Sequence, residues 1–129
     1  MTRSNRGARI GTWSLRLDAA YCAVLGILIA ALSGIIADGV GIPAPLLVVI
    51  GLAVVAWAGS LLWMLNRLPL GTALRVVMIA NLCAAVVVGV VSGLAATVLV
   101  IAAVLAVAVD IALFAVSQGV ALRALPAAK

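Results

Sequence analysis

The chain has 129 residues, of which 68% are hydrophobic and only 9% charged. A soluble domain is roughly half apolar and about one-quarter charged, and no soluble fold of this length has interior enough to hide so much apolar surface; the expected solvent is lipid and the expected unit a single membrane domain. The net charge of +5 does not imply nucleic acid, because the arginines stand beside apolar runs instead of forming a face, an arrangement suited to anionic lipid headgroups.

Residues 1–17 carry Arg3, Arg6, Arg9 and Arg16 and are expected to be a basic cytoplasmic arm that becomes helical near Trp13. A signal peptide is the alternative, but the segment is long for an n-region and three further apolar runs follow, so an uncleaved first helix is expected. A span needs about 20 mainly apolar residues. Four windows meet this, at about residues 19–37, 45–65, 72–91 and 95–121. The fold expected is all-α, a four-transmembrane-helix bundle over residues 18–123, with a cytoplasmic tail at 124–129.

The breaks have local causes. Asp38-Gly39-Val40-Gly41-Ile42-Pro43 and Asn66-Arg67-Leu68-Pro69-Leu70-Gly71 each combine glycine with proline, which ends one helix and starts the next. Ser92-Gly93 is a very short connection and predicts a tight antiparallel hairpin of helices three and four. With four spans, Arg3, Arg6, Arg9, Arg16, Arg67, Arg75, Arg123 and Lys129 all fall on one side. The positive-inside rule then gives N-in/C-in in the cell (inner) membrane, with Trp13, Tyr21 and Trp63 near the cytoplasmic boundary and Trp57 deeper, between helices.

Burial alone does not pull helices together in lipid; close backbone approach does, and it needs small residues four apart. Gly26, Ala30 and Gly34 form one such ladder, Ala85, Gly89 and Gly93 another, and Ala102 with Ala106 continue the theme. These faces could join helices within one chain or between chains.

Few side chains could carry chemistry. The chain has no His and no Glu, which removes the usual general base, metal ligand and haem ligand. No enzymatic activity, cofactor or metal is expected. Asp110 sits in Val107-Ala108-Val109-Asp110-Ile111-Ala112-Leu113 with no charge nearby in sequence. A carboxylate at this depth costs about 2.5–3.5 kcal/mol and normally faces protein. Ala103, Ala106 and Ser117 share its helix face. It is either a proton or cation site, or a contact to a partner helix, or a hydrogen-bonded group that fixes helix four. Asn81, near the middle of helix three, suits an interhelical hydrogen bond, for which Asp110 is one candidate partner; the two are the candidate intramembrane polar site. Arg75 is expected to snorkel or to pair with Asp18. Ser117 and Gln118 are expected to bond locally. Cys22 and Cys83 differ in depth by roughly 12 Å at 1.5 Å per residue, too far for a disulfide, and are read as small buried residues.

Several stretches together resemble a family of small actinobacterial four-helix integral membrane proteins: Leu15-Arg16-Leu17-Asp18-Ala19, Gly41-Ile42-Pro43-Ala44-Pro45-Leu46-Leu47, Trp63 with Arg67, Arg75 with Asn81, and Gln118 with Leu122-Arg123. The resemblance spans most of the chain. It implies four helices and Asp18, Arg75, Asn81 and Gln118 as recurring polar points, and no activity. Asp110 lies outside the pattern.

The expected role is therefore a non-enzymatic scaffold or accessory subunit, packing through its small-residue faces against itself or a larger membrane complex. The alternative is a small homo-oligomeric, proton-coupled carrier using Asp110. In size and helix count that would match the small multidrug resistance type, but the first helix lacks that type's embedded Glu.

Overall fold

The computed structural model describes residues 3–93 and 97–125, with side chains from residue 5 onward. The expected start of the fourth span at 95, the end of the tail at 126–129 and the Arg3 side chain lie outside what is described. Among the described residues five helices follow in order: α1 Arg3–Ala31, α2 Ser33–Val40, α3 Ala44–Arg67, α4 Leu70–Ser92 and α5 Val98–Ala124. Four segments of these residues are long and apolar enough to cross a membrane: Asn5–Ala31, Ala44–Arg67, Leu70–Ser92 and Val98–Ala124.

The helix ends follow from local chemistry. Pro43 and Pro69 precede α3 and α4 at φ −56° and −54°, where the fixed ring torsion is already suited to a helix start. Gly41 closes α2 at φ 68°, its N–H bonded to the Ala37 carbonyl at 2.9 Å. That left-handed cap strains any side chain, hence glycine. Thr97 opens α5 by accepting a hydrogen bond on Oγ1 from the Val100 N–H at 3.3 Å. A bend at Leu32, φ −100°, separates α1 from α2; Ser33-Gly34 follows it directly, a pairing that marks helix kinks.

The N-terminal segment differs from expectation. Helix α1 begins at Arg3, so residues 3–17 are the first four turns of a long helix and not an arm. The reason is a packing face of small residues within the basic segment. A Cβ on Gly7 would sit 2.8 Å from the Ala124 backbone, and one on Gly11 2.8 Å from Leu74 and 3.5 Å from the Ala121 methyl. Backbone approach of this kind is what holds helices together in lipid.

The helices pack unequally. α1 packs on α3 and on α5, and α4 packs on α5. Gly26 meets Gly51 while Leu15 and Ala19 cluster with Leu61 and Met64, Gly7 meets Ala124 while Ser14 meets Ser117, and Gly71 lies by Leu125 while Gly119 lies by Met78, so each of these pairs is antiparallel, the last as expected. Helix α3 meets α4 sparingly. Where Gly26 of α1 crosses Gly51 of α3, a Cβ on Gly51 would lie 2.5 Å from the Gly26 carbonyl oxygen and 2.7 Å from the Ala30 nitrogen. Gly26 and Ala30 are thus an intrachain contact face, whereas Gly34 and Gly89 face open space and Gly93 meets only the carbonyl of Val90 in its own turn. Gly89 and Gly93 of the second ladder thus meet no other helix among the described residues.

The main apolar cluster lies at the arginine-bearing end: Leu15 and Ala19 from α1, Leu61 and Met64 from α3, Ala73, Leu74 and Val77 from α4, and Ala121 from α5. Trp57 is half-buried against it, and Trp13 and Trp63 are exposed.

Candidate functional site

Three elements bring polar side chains together inside the bundle. Asp18 of α1, Asn81 of α4 and Gln118 of α5 are 1%, 4% and 0% exposed. Their meeting is a consequence of register. Helices α1 and α5 run antiparallel, with Gly7 opposite Ala124 and Ser14 opposite Ser117; in this register Asp18 lies five residues beyond Gln118, and the two side chains, each leaning toward its own helix N-terminus, meet across that offset. Helix α4 runs parallel to α1, with Leu74 against Gly11, so the same seven-residue step brings Asn81 to Asp18.

Asn81 Nδ2 donates to Asp18 Oδ2 at 2.6 Å, and Gln118 Nε2 donates to the same oxygen at 2.8 Å. Asn81 Nδ2 also reaches Gln118 Oε1 at 3.4 Å, and the Cys22 thiol donates to Asp18 Oδ1 at 3.5 Å. One turn toward the basic end, Ser14 and Ser117 share a hydroxyl–hydroxyl bond of 2.6 Å, and Ser117 also donates to the Phe114 carbonyl at 2.8 Å. Among the described residues no buried side-chain nitrogen or oxygen is left without a partner. A satisfied network of this kind fixes the relative depth of three helices. It leaves no open face for a solute.

Asp110 lies elsewhere. It is exposed on the outer surface of α5, where the Tyr21 hydroxyl donates to Oδ2 at 3.1 Å. Tyr21 in turn packs on Phe114, ring centroids 5.5 Å apart and tilted by 56°. The pair sits at the deep end of a groove of about 860 Å³ between α1 and α5, which runs from Arg6 and Arg9 past Trp13 to Tyr21, Asp110 and Phe114.

Several expected placements change. Asn81 does not pair with Asp110: α5 is antiparallel to α4 with Gln118 opposite Asn81, and Asp110 is eight residues further along, roughly 12 Å at 1.5 Å per residue. The Arg75–Asp18 ion pair is replaced by the amide contacts. Arg75 is exposed while Asn81, six residues on, is buried; that spacing turns them about 120° apart. Asp110 faces outward and not into the bundle, and Ala103 and Ala106 on its face are exposed too. Tyr21 is eighteen residues into α1, at the level of Asp110. Cys22 is half-buried, and Cys83 is exposed instead of buried.

Gln118 belongs to the buried cluster through a long-range contact, where only local bonding was expected. Its distance from Asp18 in sequence hides that contact. Of the four polar points that the resemblance implies, Asp18, Asn81 and Gln118 meet in this cluster and Arg75 stands exposed outside it. Among the described residues no three of His, Cys, Asp and Glu stand together as a metal site. No protein-family model, curated protein or solved structure is significantly similar to this chain.

Proposed function

We propose that this chain is a non-enzymatic accessory or scaffold subunit of a cell membrane, both termini cytoplasmic, that packs beside other membrane-spanning helices. The observation that carries the reading is the division of its intramembrane polar groups. The enclosed set, Asp18 with Asn81 and Gln118, is saturated by its own members, whereas the carboxylate of Asp110 is exposed on the outside of the bundle. A charge-bearing group in a span normally faces protein or a water-filled cavity, so a neighbour at α5 is called for. The open faces at Gly34 and Gly89 offer further surfaces for close helix approach. The arginines at the helix ends would meet anionic headgroups, which attract such residues by about 1 kcal/mol each.

A second reading, a proton-coupled homo-oligomeric carrier built on Asp110, draws on the groove that joins Asp110 to the Arg6 end. It requires the same outward carboxylate to be enclosed by a second copy.

The test is purification from the native membrane in mild detergent, with the mass of the intact particle measured. Recovery at fixed stoichiometry with larger subunits supports the accessory reading. Recovery as a homo-oligomer alone removes it and favours the carrier.

A further inference from the structure

We infer that the groove between α1 and α5 seats a membrane-spanning helix of a different polypeptide, and that this helix carries a Lys or Arg at the level of Asp110. The inference rests on the accessory-subunit reading and adds the chemistry of the partner.

The shape of the groove points to a helix. From Arg6 to Tyr21 it follows α1 for fifteen residues, roughly 22 Å at 1.5 Å per residue. Over the part nearer Asp110, from Ser117 to Asp110 on α5, it is a valley between two helix axes, where the side chains of a third helix nest. A compact solute would fill only one part of it. An acyl chain would fit the walls formed by Trp13, Leu17 and Phe114, but its end would lie against the carboxylate and could not hydrogen-bond it.

Charge complementarity supplies the rest. Asp110 takes one hydrogen bond on Oδ2, from Tyr21, and remains exposed. In lipid, a basic side chain facing it would neutralise the charge and bond the exposed oxygen, a charge-assisted contact stronger than a neutral one. A second copy is poorly placed to provide this. Ser14 lies opposite Ser117, so by helix register Tyr21 marks the level of Asp110, and the nearest cation, Arg16, is five residues closer to the basic end. Side chains tilt toward their own helix N-terminus. Arg16 therefore leans further toward the basic end, and Asp110, on an antiparallel helix, leans the other way.

The probe is a host helix of about 20 leucines with one central Lys, compared with the same host carrying Leu at that position. The full-length chain and each host are labelled and reconstituted in phosphatidylcholine vesicles, which lack anionic headgroups, and association is read by energy transfer. The Lys host is expected to associate with the native chain at least about tenfold more tightly than the Leu host, equivalent to about 1.4 kcal/mol. Asp110→Ala should abolish the difference and Asp110→Glu should restore it. Asp110 is exposed, so its variants should keep the helical content of the native chain, checked by circular dichroism.

Equal association of the two hosts, or a Lys preference that survives Asp110→Ala, overturns the inference. So does Asp110-dependent binding of tetraphenylphosphonium without association of the Lys host, which would make the site one for small lipophilic cations. Self-association of the chain with the same Asp110 dependence would make a second copy the occupant and also overturns it. A native complex with larger subunits, together with indifferent hosts, removes this inference and leaves the accessory reading standing.

Discussion

At the basic end, residues from α1, α3, α4 and α5 close around Leu15, Leu61, Leu74 and Ala121, each no more than 1% exposed. At the far end the apolar residues turn outward: Ile35 is 77% exposed, Val90 70% and Val98 82%. Hydrophobicity does not separate the two ends, since the apolar windows run through both. Small residues and polar partners do. The basic end holds Gly7, Gly11, Ser14 and Asp18 on one face of α1, and each meets a specific group on a neighbouring helix. At the far end close approaches are fewer, Gly26 and Ala30 against Gly51 and Gly39 against Val100, while Gly34 and Gly89 meet nothing among the described residues. In lipid a helix face without such contacts gains nothing from burial, so the basic end is closed by all four long helices, whereas the far end is held chiefly by the Gly26–Gly51 crossing and its other faces are left open to whatever lies beside them.

The largest effect on this asymmetry should come from the crossing that joins α1 to α3. A Cβ on Gly51 would meet backbone atoms of Gly26 and Ala30 at 2.5–2.7 Å. Backbone cannot rotate away as a side chain can. Gly51→Leu is expected to destabilise the chain by about 3 kcal/mol or to separate α3 from α1, at the upper end of overpacking costs. Unfolding by dodecyl sulfate titration in micelles checks it, and a midpoint equal to the native one would show that the crossing contributes little.

Next in size is the buried carboxylate. Asp18→Ala leaves the Asn81 and Gln118 amides facing each other without their shared acceptor. Interhelical hydrogen bonds in membranes average about 0.6 kcal/mol with a maximum near 1.7, so loss of two of them predicts about 1–3 kcal/mol in the same titration. Asp18→Asn keeps an acceptor oxygen and should lose less than half as much. If the two variants were equal, charge and not hydrogen bonding would be what Asp18 supplies. Ser14→Ala removes a single hydroxyl from the 2.6 Å pair with Ser117 and should cost about 0.6 kcal/mol, because Ser117 keeps its bond to the Phe114 carbonyl.

Much of the fold is legible in the sequence because lipid imposes one rule, that each crossing be a long apolar helix. The four spans, the proline-led starts of α3 and α4 and the glycine that ends α2 all follow from residues within a few positions of the feature. The start of α1 does not, because four arginines among residues 3–16 make a helical segment look like a free arm. The spacing of Gly7, Gly11, Ser14 and Asp18 is the local mark of a packing face, and it continues into the first span without a break. At the buried site, Asp18, Asn81 and Gln118 stand out singly as polar residues in apolar runs. That they bond one another depends on how far each helix slides past the next, which no stretch of sequence encodes locally. For the same reason Asp110 and Asn81, both near the middles of their helices, belong to different places.

The smallest expected effect on the isolated chain is the one that best separates its two ends. A Cβ at Gly89 meets nothing within 4 Å among the described residues, so Gly89→Leu should leave the detergent unfolding midpoint within about 0.5 kcal/mol of native, as for other substitutions away from packed contacts. In the native membrane its consequence should be opposite. If α4 approaches a partner through Ala85, Gly89 and Gly93, a leucine there holds the backbones apart, and the intact particle should lose mass while the chain itself stays folded. A variant that changes neither midpoint nor particle mass would show that this face meets only lipid, and the search for the partner's footprint would narrow to the α1–α5 groove. A variant that lowers the midpoint in isolation would instead mean that the far end closes on itself in micelles, and the contrast between the two ends would belong to the arrangement of the isolated chain and not to assembly.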